Sequence, residues 1–342
     1  MAVVRLKDVA ARANVSIKTV SNVVNGYVHV SESVRTRVEA AISELGYRPN
    51  LSARNLRSAR SGVLALAVPE LSEYFAELAS LVQRAAEEQG FTLLIDQTGG
   101  VAARERRVLE GIRTHLVDGL ILSPISLSAR DIAARLDTTP LVLLGERVFG
   151  GPADHVAIDN VAAARALVEH LCGRERTRIA AIGVTPTQGL SPARFRLQGY
   201  RRAVRAAGLA VEPELIVRVE QWNRQDGADA VRQLLRDGVK FDAIFAFNDW
   251  LAIGALHALH EARIAVPDDV AVVGFDDLEA GRFVEPELTT IAPDKLQIAR
   301  EAVAQVVARS SNVNTPPREI IVPHRLVVRA SSGGNARPGS PA

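Results

Sequence analysis

From residue 62 onward, short apolar runs alternate with longer segments of helical periodicity, and this alternation limits the possible folds more than any other feature of the sequence. Strands that alternate with helices form parallel sheets with helices on both faces. The strand-like runs cover residues 62–68, 91–96, 119–123, 140–144, 178–183, 242–247 and 270–275. The amphipathic segments include residues 73–89, 161–173, 192–207, 227–237 and 250–262. Because these strands are too many for one small sheet, the pattern predicts an α/β body with two lobes.

The composition indicates a large aliphatic core without covalent cross-links. Apolar residues make up 47% of the 342 residues, whereas aromatic residues make up only 4%. A single cysteine, Cys172, excludes an intramolecular disulfide and fits a reducing compartment. The N-terminus has no apolar signal segment, and no apolar stretch approaches the roughly 18 residues of a membrane-spanning helix. We therefore expect a cytoplasmic protein without a membrane partner.

The charge is divided unevenly between the N-terminal segment and the rest of the chain. Residues 1–61 carry ten Lys or Arg and four Asp or Glu, a net charge of +6, whereas the remaining residues carry −4. A basic head on a mildly acidic body is typical of proteins that bind nucleic acid. A solvated basic surface is the alternative, which charge alone does not exclude.

The basic head contains two short helical segments joined by a tight turn. Residues 6–13 have apolar side chains at helical spacing, and Asn14 accepts the left-handed backbone that would end this helix. Ser16 is a favourable N-cap for a second helix at residues 17–25. The pattern predicts a helix-turn-helix, whose second helix enters the major groove of DNA with its N-terminal residues at base edges.

A third helical segment supplies the core that would hold the first two. Ser31 is its expected cap, Gly46 its end, and its inner face is formed by Val34, Val38, Ile42 and Leu45. A three-helix bundle without a DNA role has the same pattern, because short motifs carry a risk of false matches.

The head becomes more specific when its sequence is considered as a whole. Residues 6–26 (LKDVAARANVSIKTVSNVVNG) and 31–58 (SESVRTRVEAAISELGYRPNLSARNLRS) resemble the DNA-binding head and hinge of the lac repressor (LacI/GalR) family of bacterial regulators. The similarity continues along almost the whole chain. The resemblance implies an all-α helix-turn-helix head and a two-lobed body of the periplasmic-binding-protein type.

The resemblance assigns roles to residues of the second helix and its surroundings. Ile17, Lys18 and Asn22 fall where the family reads base edges, and Lys and Asn suit guanine and adenine respectively. Phosphate contacts, which position the head without reading sequence, are implied for Ser16, Thr19, Ser21, Asn25 and Ser31. For Thr19 and Ser21, solvated polar groups remain an alternative.

Residues 49–61 match the family's hinge. The segment is too short to be stable alone, because isolated helices below about 12–15 residues are marginal in water. The resemblance implies a helix that forms when two copies pair on DNA, with Leu56 inserted into the minor groove as an apolar wedge that kinks the duplex. The expected DNA contacts in the hinge are Asn50, Ala53, Arg54, Leu56 and Arg57.

The family architecture implies boundaries along the chain. These are a helix-turn-helix domain at 1–48, a hinge at 49–61, an effector-binding and dimerisation body at 62–330 and a disordered tail at 331–342. We expect crossings between the lobes near Asp159, Ala292 and Pro323. The first lobe then comprises residues 62–158 and 293–322, and the second residues 159–292 and 323–330. The Gly-, Ser- and Pro-rich tail lacks the heptads of a coiled coil.

A ligand of such a body would bind in the cleft at the carboxyl ends of the strands. The residues that match the family's effector contacts are Tyr74, Phe75, Ser123, Glu146, Arg147, Arg196, Trp222, Asn248 and Asp276. Arg196, Asn248 and Asp276 offer paired donors and acceptors for vicinal hydroxyls, and Trp222 offers a flat apolar face. A sugar is therefore the leading effector, and a purine or a phosphorylated sugar is the alternative.

Some residues near the cleft also have structural explanations. We expect Asp249 and Asp277 to be helix N-caps rather than ligand contacts. Trp222 fits packing in the core equally well. Arg196 and Asp276 are the leading candidates for ligand contact.

Arg147 is a further residue with two explanations. It matches an effector contact of the family, but an ion pair with Glu146 or Asp159 would give it a structural role.

The sequence lacks the constellations that catalysis or a metal would need. No phosphate-binding loop, dinucleotide fingerprint or nucleophile elbow is present, and Cys172 has no histidine at a recognisable spacing. His257 and His260 share a helix face without further ligands and are expected at the surface. We expect no enzyme activity, cofactor or metal. A solute-binding protein would share the body but need an export signal and no basic head, and a dehydrogenase would need the missing fingerprint.

The family mechanism completes the prediction. A homodimer would bind a pseudo-palindromic operator in double-stranded DNA, with helix candidates for the dimer face at residues 71–84 and 128–136. Effector binding would shift the lobes, displace the hinge attachment at residues 61–62 and change operator affinity. Repression is the family's usual outcome. Whether the effector releases or tightens DNA binding stays open.

Overall fold

The computed structural model describes residues 4–24, 27, 29–47, 61–111, 116–186, 191–311 and 315–333. These residues form two compact units, Met1–Gly62 and Val63–Ala342, called here the head and the body. The predicted DNA contacts outside the described ranges are Asn25, Asn50, Ala53, Arg54, Leu56 and Arg57. Within those ranges no helix is long and apolar enough to cross a membrane.

The head consists of helices α1 (Leu6–Ala13), α2 (Ile17–Val24) and α3 (Glu32–Leu45). The turn between α1 and α2 forms because Asn14 adopts a left-handed backbone with φ of 51°, which Asn tolerates better than most residues. Ser16 then caps α2, since its Oγ accepts the Thr19 backbone N–H at 3.0 Å. The predicted helix-turn-helix is therefore present in the head.

A small aliphatic core holds the three helices of the head together. Val9, Val20 and Val38, one from each helix, are fully buried against each other and their apolar neighbours. An ion pair of 2.6 Å between Arg12 Nη2 and Glu44 Oε2 joins α1 to α3 at the surface. The predicted inner stripe of α3 is partly buried, because Val38 and Ala41 occupy the centre of the core.

Two six-stranded sheets form the body. The first sheet has the order β11-β5-β4-β3-β1-β2 and the second the order β12-β10-β9-β8-β6-β7. The strands are β1 (Val63–Val68), β2 (Thr92–Gln97), β3 (Gly119–Leu122), β4 (Leu141–Leu144), β5 (Asp154–Ile158), β6 (Ile179–Val184), β7 (Ile216–Arg218), β8 (Ala243–Ala246), β9 (Ala271–Phe275), β10 (Thr289–Pro293), β11 (Glu319–Val322) and β12 (His324–Val327). Neighbouring strands run parallel except for β12, which is antiparallel to β10.

Helices cover the faces of the sheets, and the central strands are apolar because both of their faces are buried. The helices are α4 (Glu73–Glu88), α5 (Ala102–Leu109), α6 (Ala129–Ala133), α7 (Asn160–Cys172), α8 (Pro192–Ala206), α9 (Arg224–Arg236), α10 (Asp249–Glu261) and α11 (Lys295–Ser311). Short 3-10 helices lie at Pro213–Leu215, Glu279–Arg282 and Ala330–Ser332. The result is the predicted α/β body with two lobes, one around each sheet.

The chain passes from one lobe to the other after β5, after β10 and after β11. The last passage is the shortest, because Pro323 alone separates β11 of the first sheet from β12 of the second. Neither lobe is therefore a continuous stretch of sequence.

The tail begins later than the predicted residue 331. Ser331 and Ser332 are buried in the last 3-10 helix, where Ser331 Oγ donates to the Val272 carbonyl at 2.6 Å. Ser332 Oγ lies 2.8 Å from His170 Nε2 and 2.7 Å from Thr289 Oγ1. Their small hydroxyls satisfy buried partners of the second lobe, although the composition of this segment resembles a linker.

The two helices expected at a dimer face have other bounds than predicted: α4 begins two residues later and continues to Glu88, whereas α6 is shorter. Helix α4 begins at Glu73, after Ser72 in extended conformation, so Leu71 precedes it and is 54% exposed. Helix α6 ends at Ala133, and Leu136 beyond it is 94% exposed.

Candidate functional site

Helix α2 presents a polar face whose residues match the predicted base and phosphate contacts. Ser16, Ile17 and Lys18 are exposed, whereas Thr19, Ser21 and Asn22 are half-buried. An exposed Ile17, with 53% of its surface accessible, is unusual for so apolar a side chain, and such a group suits contact with a thymine methyl. The opposite face is buried through Val20 and Val23, which fixes the orientation of the polar face.

Two residues of this face have local partners. The Thr19 hydroxyl lies 2.8 Å from Ser16 Oγ, so both take part in the N-cap of α2. Ser31 is exposed at the start of α3, and its side chain makes no capping hydrogen bond there. Ser31 is therefore the N-cap residue by position, as predicted, although its Oγ lies 3.5 Å from Ser33 Oγ and does not accept a backbone N–H of α3.

The body contains a cavity of about 550 Å³ between its two lobes. It lies at the carboxyl ends of the strands, where parallel sheets of this kind bind ligands. All of the residues predicted to contact an effector line it: Tyr74, Phe75, Ser123, Glu146, Arg147, Arg196, Trp222, Asn248 and Asp276. The first five come from the first lobe and the last four from the second, so the cavity is the cleft predicted between the lobes.

Arg196 occupies the centre of the cleft and is only 5% exposed. Helix α8, capped by Ser191 and started by Pro192, positions it. Its Nε donates to Asn160 Oδ1 at 2.8 Å, and its Nη1 donates to the Phe247 carbonyl. The guanidinium also stacks on the Phe275 ring at 3.5 Å from the centroid. Arg196 is therefore held rigidly, with its remaining edge directed toward Asp276.

Asp276 lies at the end of β9 with its Oδ1 3.6 Å from Arg196 Nη2. Its backbone φ of 111° is in a region that residues with a side chain rarely adopt, and such strain is common at functional sites. Burial raises the pKa of this carboxyl to about 6, although Arg196 and Lys295 oppose the shift. The side chain can therefore change protonation state near neutral pH.

Glu146 forms the first lobe's contribution to the same polar cluster. The Asn160 amide, at the start of α7, donates to Glu146 Oε1 at 2.6 Å. Burial raises the pKa of the Glu146 carboxyl, and Arg196 and Asn160 counteract this rise. Glu146, Asn160, Arg196 and Asp276 thus form a chain of polar contacts that crosses the cleft.

Aromatic side chains form the apolar walls of the cleft. Trp222 donates its Nε1–H to the Gly183 carbonyl at 2.8 Å and packs edge-on against Phe247 at 6.1 Å. Both explanations offered for Trp222 therefore describe part of its surroundings, since one side is packed and the other lines the cavity. On the first lobe Tyr74 and Phe75 are T-shaped at 5.2 Å, and burial raises the pKa of Tyr74.

The expectation that Asp249 caps a helix was wrong. Asn248 is the N-cap of α10, because its Oδ1 accepts the Leu251 N–H at 2.9 Å. Asp249 is buried one residue later and accepts from the Leu278 N–H at 2.8 Å and the Thr290 hydroxyl at 2.7 Å. It ties α10 to β10, and burial raises its pKa well above the ordinary value.

The same expectation was wrong for Asp277. Its carboxylate accepts from Arg329 Nη2 at 2.5 Å and from Arg282 Nη2 at 3.2 Å, and Arg325 lies at 3.8 Å. The N-cap of the following 3-10 helix is Leu278. Asp277 is therefore the centre of an arginine cluster that the local sequence does not reveal, because its partners lie up to 52 residues away.

A buried carboxylate supports the cleft loop that follows β3. Glu105 is fully buried and accepts the backbone N–H groups of residues 125, 126 and 127 at 2.8 to 3.0 Å. Arg147 donates its Nε–H to the Leu127 carbonyl at 2.9 Å from the other side. The loop that carries Ser123 and Pro124 into the cleft is thus held from both sides.

Two residues, one in the cleft wall and one that supports it from behind, had no place in the sequence prediction. Asn160 follows β5, which the sequence did not reveal as a strand, so its position at a strand end was missed. Trp250 lines the cavity from the first turn of α10. Its position two residues after Asn248, a predicted effector contact, is the sequence signal that could have placed Trp250 in the cleft. No group of three or more His, Cys, Asp or Glu side chains in the described ranges could hold a metal ion.

Comparison with known proteins extends these observations. Residues 5–50 match the model for bacterial regulatory proteins of the lacI family, and residues 168–332 match a periplasmic binding protein-like domain. The ribose operon repressor of Escherichia coli (strain K12) is 34% identical over 330 residues, 96% of this chain and 99% of that protein.

Solved structures agree with these matches over nearly the whole chain. The lac repressor dimer bound to operator and the anti-inducer ONPF has a TM-score of 0.84 at 27% identity, covering 96% of this chain and 99% of that one. The transcriptional regulator CelR in complex with cellobiose has a TM-score of 0.71 at 32% identity, with the same two coverages.

A helix-turn-helix head on a periplasmic-binding-protein-like body defines a DNA-binding transcription regulator. With a relative 34% identical over nearly the full length of both chains, this protein belongs to the lacI family of bacterial regulatory proteins. The resemblance and the fold class inferred from the sequence are thereby confirmed. The relatives found are transcription regulators rather than enzymes, and the lacI match at residues 5–50 argues against a solute-binding protein without a DNA role.

Proposed function

We propose that this protein is a repressor whose affinity for its operator is controlled by a neutral sugar bound in the cleft. The observation that carries this proposal is the convergence of nine predicted effector residues, from two lobes, on one cavity. The cavity of about 550 Å³ lies within the range of small-molecule sites, roughly 300–1,000 Å³. It combines aromatic walls with a few placed polar groups, which is the chemistry a sugar ring requires.

The charges of the cleft favour a neutral sugar over a phosphorylated one. The guanidinium of Arg196 already serves Asn160, the Phe247 carbonyl and Asp276. Lys295 is paired with Glu77. A phosphate would have to compete for these cations and would lie close to Glu146 and Asp276. Ribose and cellobiose are the first sugars to examine, because the relatives named above are a ribose operon repressor and a cellobiose complex.

We propose that the head reads DNA through α2, as the sequence predicted. Ile17, Lys18 and Asn22 would contact base edges, and the neighbouring hydroxyls would contact phosphates. One head recognises only half a site, so a homodimer on a pseudo-palindromic operator follows. The structure of the lac repressor dimer on its operator supports this arrangement by analogy. A cytoplasmic location fits a regulator that must reach the chromosome.

The cleft and the head would be coupled through the lobes and the hinge. Because three crossings join the lobes, a ligand that prefers one lobe arrangement shifts the whole body toward it. That shift would move the hinge attachment at residues 61–62 and alter pairing of the hinge helices. A coupling of about 1–3 kcal/mol would change operator affinity roughly 5–150-fold.

A thermal-shift panel tests the proposed effector. The purified protein is heated with ribose, cellobiose, sugar phosphates and purines, each with and without promoter DNA. A ligand that binds only the folded state stabilises it by about 2.7 kcal/mol at a hundredfold excess over its Kd. A shift with a neutral sugar supports the proposal, and its sign with DNA present separates release from tightening. Shifts only with purines or sugar phosphates would contradict the neutral-sugar assignment.

A further inference from the structure

Both tryptophans of the chain lie in the walls of the cleft. The sequence contains two tryptophans, Trp222 and Trp250, and both line the cavity between the lobes. Trp222 matches an effector contact predicted from the sequence, whereas Trp250 does not. Trp250 is half-buried at the start of α10, two residues after the N-cap Asn248. The contacts of Trp250 indicate a role in the cleft that the proposed function does not include.

A carboxylate of the opposite lobe holds Trp250 and its neighbours. Glu73, the first residue of α4 in the first lobe, accepts the Ala280 backbone N–H through Oε1 at 3.0 Å. Its Oε2 lies 3.5 Å from the indole Nε1 of Trp250 and 3.5 Å from Arg224 Nη2. One side chain of the first lobe therefore contacts three separate elements of the second lobe.

The second lobe presents its part of this cluster as a rigid unit. Arg224 lies over the Trp250 ring, with 5.4 Å between its guanidinium carbon and the ring centroid. Helices α9 and α10, which carry the two residues, cross at glycines so closely that a Cβ on Gly254 would lie 1.9 Å from the Arg224 carbonyl oxygen. Arg224 and Trp250 therefore keep a fixed position relative to each other. Glu73 belongs to the other lobe, so its distance from them changes with the separation of the two lobes.

We propose that Trp250 is a further effector-contacting residue and that Glu73 is its positioning residue. Glu73 fixes the edge of the indole when the cleft closes, so the ring face is turned toward the ligand. The ligand class is a sugar ring, whose C–H face packs on the indole while its hydroxyls reach the polar cluster around Arg196. This inference rests on the proposed function, because it takes the cleft to be the effector site.

The role of Glu73 can be tested without any ligand. In a Trp222→Phe background, Trp250 is the sole tryptophan, so its fluorescence and its quenching by acrylamide report the exposure of this wall of the cleft. Glu73→Gln is expected to raise the ratio of open to closed cleft about threefold, the size of a lost exposed ion pair, and to increase quenching. Glu88→Gln, an exposed glutamate at the other end of α4, is the matched control.

The outcome of the quenching comparison decides the positioning role. Equal quenching in Glu73→Gln and Glu88→Gln would overturn it, whereas an increase only in Glu73→Gln supports it. Arg224→Lys supplies a second variant, which keeps a cation beside Glu73 and the Trp250 ring and is expected to increase quenching less than Glu73→Gln. Circular dichroism and melting curves establish that each variant is folded.

Sugar titrations test the contact made by Trp250. With ribose and cellobiose as the probes, Trp250→Ala is expected to weaken binding about tenfold, equivalent to about 1.4 kcal/mol. Trp250→Phe keeps a ring face and is expected to bind more tightly than Trp250→Ala. Equal affinity of Trp250→Ala and the wild type would overturn the contact. If the wild type binds neither sugar, the proposed effector class and the contact both fall, while the ligand-free quenching result still decides the role of Glu73.

Discussion

Asp276 combines three features that rarely coincide in one residue. It is buried, its backbone is in a disfavoured conformation and its pKa is raised to about 6 by burial. The charged groups that face it are Arg196 and Lys295, which lower its pKa, and the carboxyls of Glu146 and Asp249. Because burial and a disfavoured backbone conformation both carry an energetic cost, we expect Asp276 to serve ligand binding rather than the stability of the body.

Effector binding should weaken as the pH falls through about 6. The ionised carboxylate of Asp276 accepts hydrogen bonds from ligand hydroxyls, and protonation removes an acceptor. Between pH 7 and pH 5 the affinity is expected to fall about tenfold, because the ionised fraction falls by that factor. Titrations of the sugar at several pH values measure this effect.

The variant Asp276→Asn provides the control, since its binding should be weak and independent of pH over the same interval. An unchanged pH profile in this variant would contradict the assignment. The effect on stability has the opposite sign. Because the folded pKa lies above the ordinary value of 3.8, the contribution of Asp276 to stability is complete below that value and is lost as the pH rises through about 6.

Individual residues also show which roles can be predicted from the sequence and which cannot. Arg196 and Asp276 were placed in the cleft because they match the family's effector contacts, and Asp276 also follows the recognisable strand β9. The partners of Asp249 and Asp277 could not be predicted, since Thr290 and Arg329 meet them only through the packing of distant strands. An Asp before a helix reads as a cap in sequence, and only tertiary contacts reveal another use.

At the scale of elements, the crossing of α7 and α8 determines where Arg196 lies. A Cβ at Gly199 would be 2.4 Å from the Val161 carbonyl oxygen and 2.8 Å from the Ala164 Cβ. The two helices therefore approach as closely as a glycine allows. Arg196 lies three residues earlier on the same helix, so its position in the cleft depends on this spacing.

The substitution Gly199→Ala should separate the two helices and displace Arg196. We expect a loss of about 1–3 kcal/mol in the free energy of unfolding, typical of overpacking, together with weaker sugar binding. Chemical denaturation and sugar titration measure the two effects. Gln198→Ala, at the exposed neighbouring position, is the control and should change neither. Normal stability and affinity in Gly199→Ala would show that the helices can shift without consequence.

The sequence revealed central strands better than edge strands. Runs such as β1 and β9 are continuously apolar because both faces are buried, and they were predicted within one or two residues. The edge strand β11 mixes exposed and buried positions, and β12 begins with His324 and Arg325. Their short polar patterns resemble loops, since an edge strand buries less of its surface. Helix α11 lay outside the predicted segments as well.

At the scale of the whole molecule, the proposed function requires the predicted hinge to couple effector binding in the body to DNA binding by the head. Leu56 lies outside the described residues, so its role as a minor-groove wedge stays a prediction from the sequence. Leu56→Ala is expected to reduce DNA bending and to weaken operator binding about tenfold, because no apolar side chain would remain to unstack the base step.

Electrophoretic mobility of operator fragments with the site at different positions measures the bend. Gln198→Ala, at an exposed position of α8, is the control and should leave both bending and affinity unchanged. Equal bending by the wild type and Leu56→Ala would contradict the wedge.

The single proline between β11 and β12 has a genetic consequence. These two strands are the last that the described residues form, and each completes the edge of a different sheet. A nonsense codon anywhere before residue 319 would therefore deprive both lobes of a strand at once. Late truncations of the gene should not yield proteins that keep one intact lobe, so alleles of this kind should behave as complete losses of the sensor.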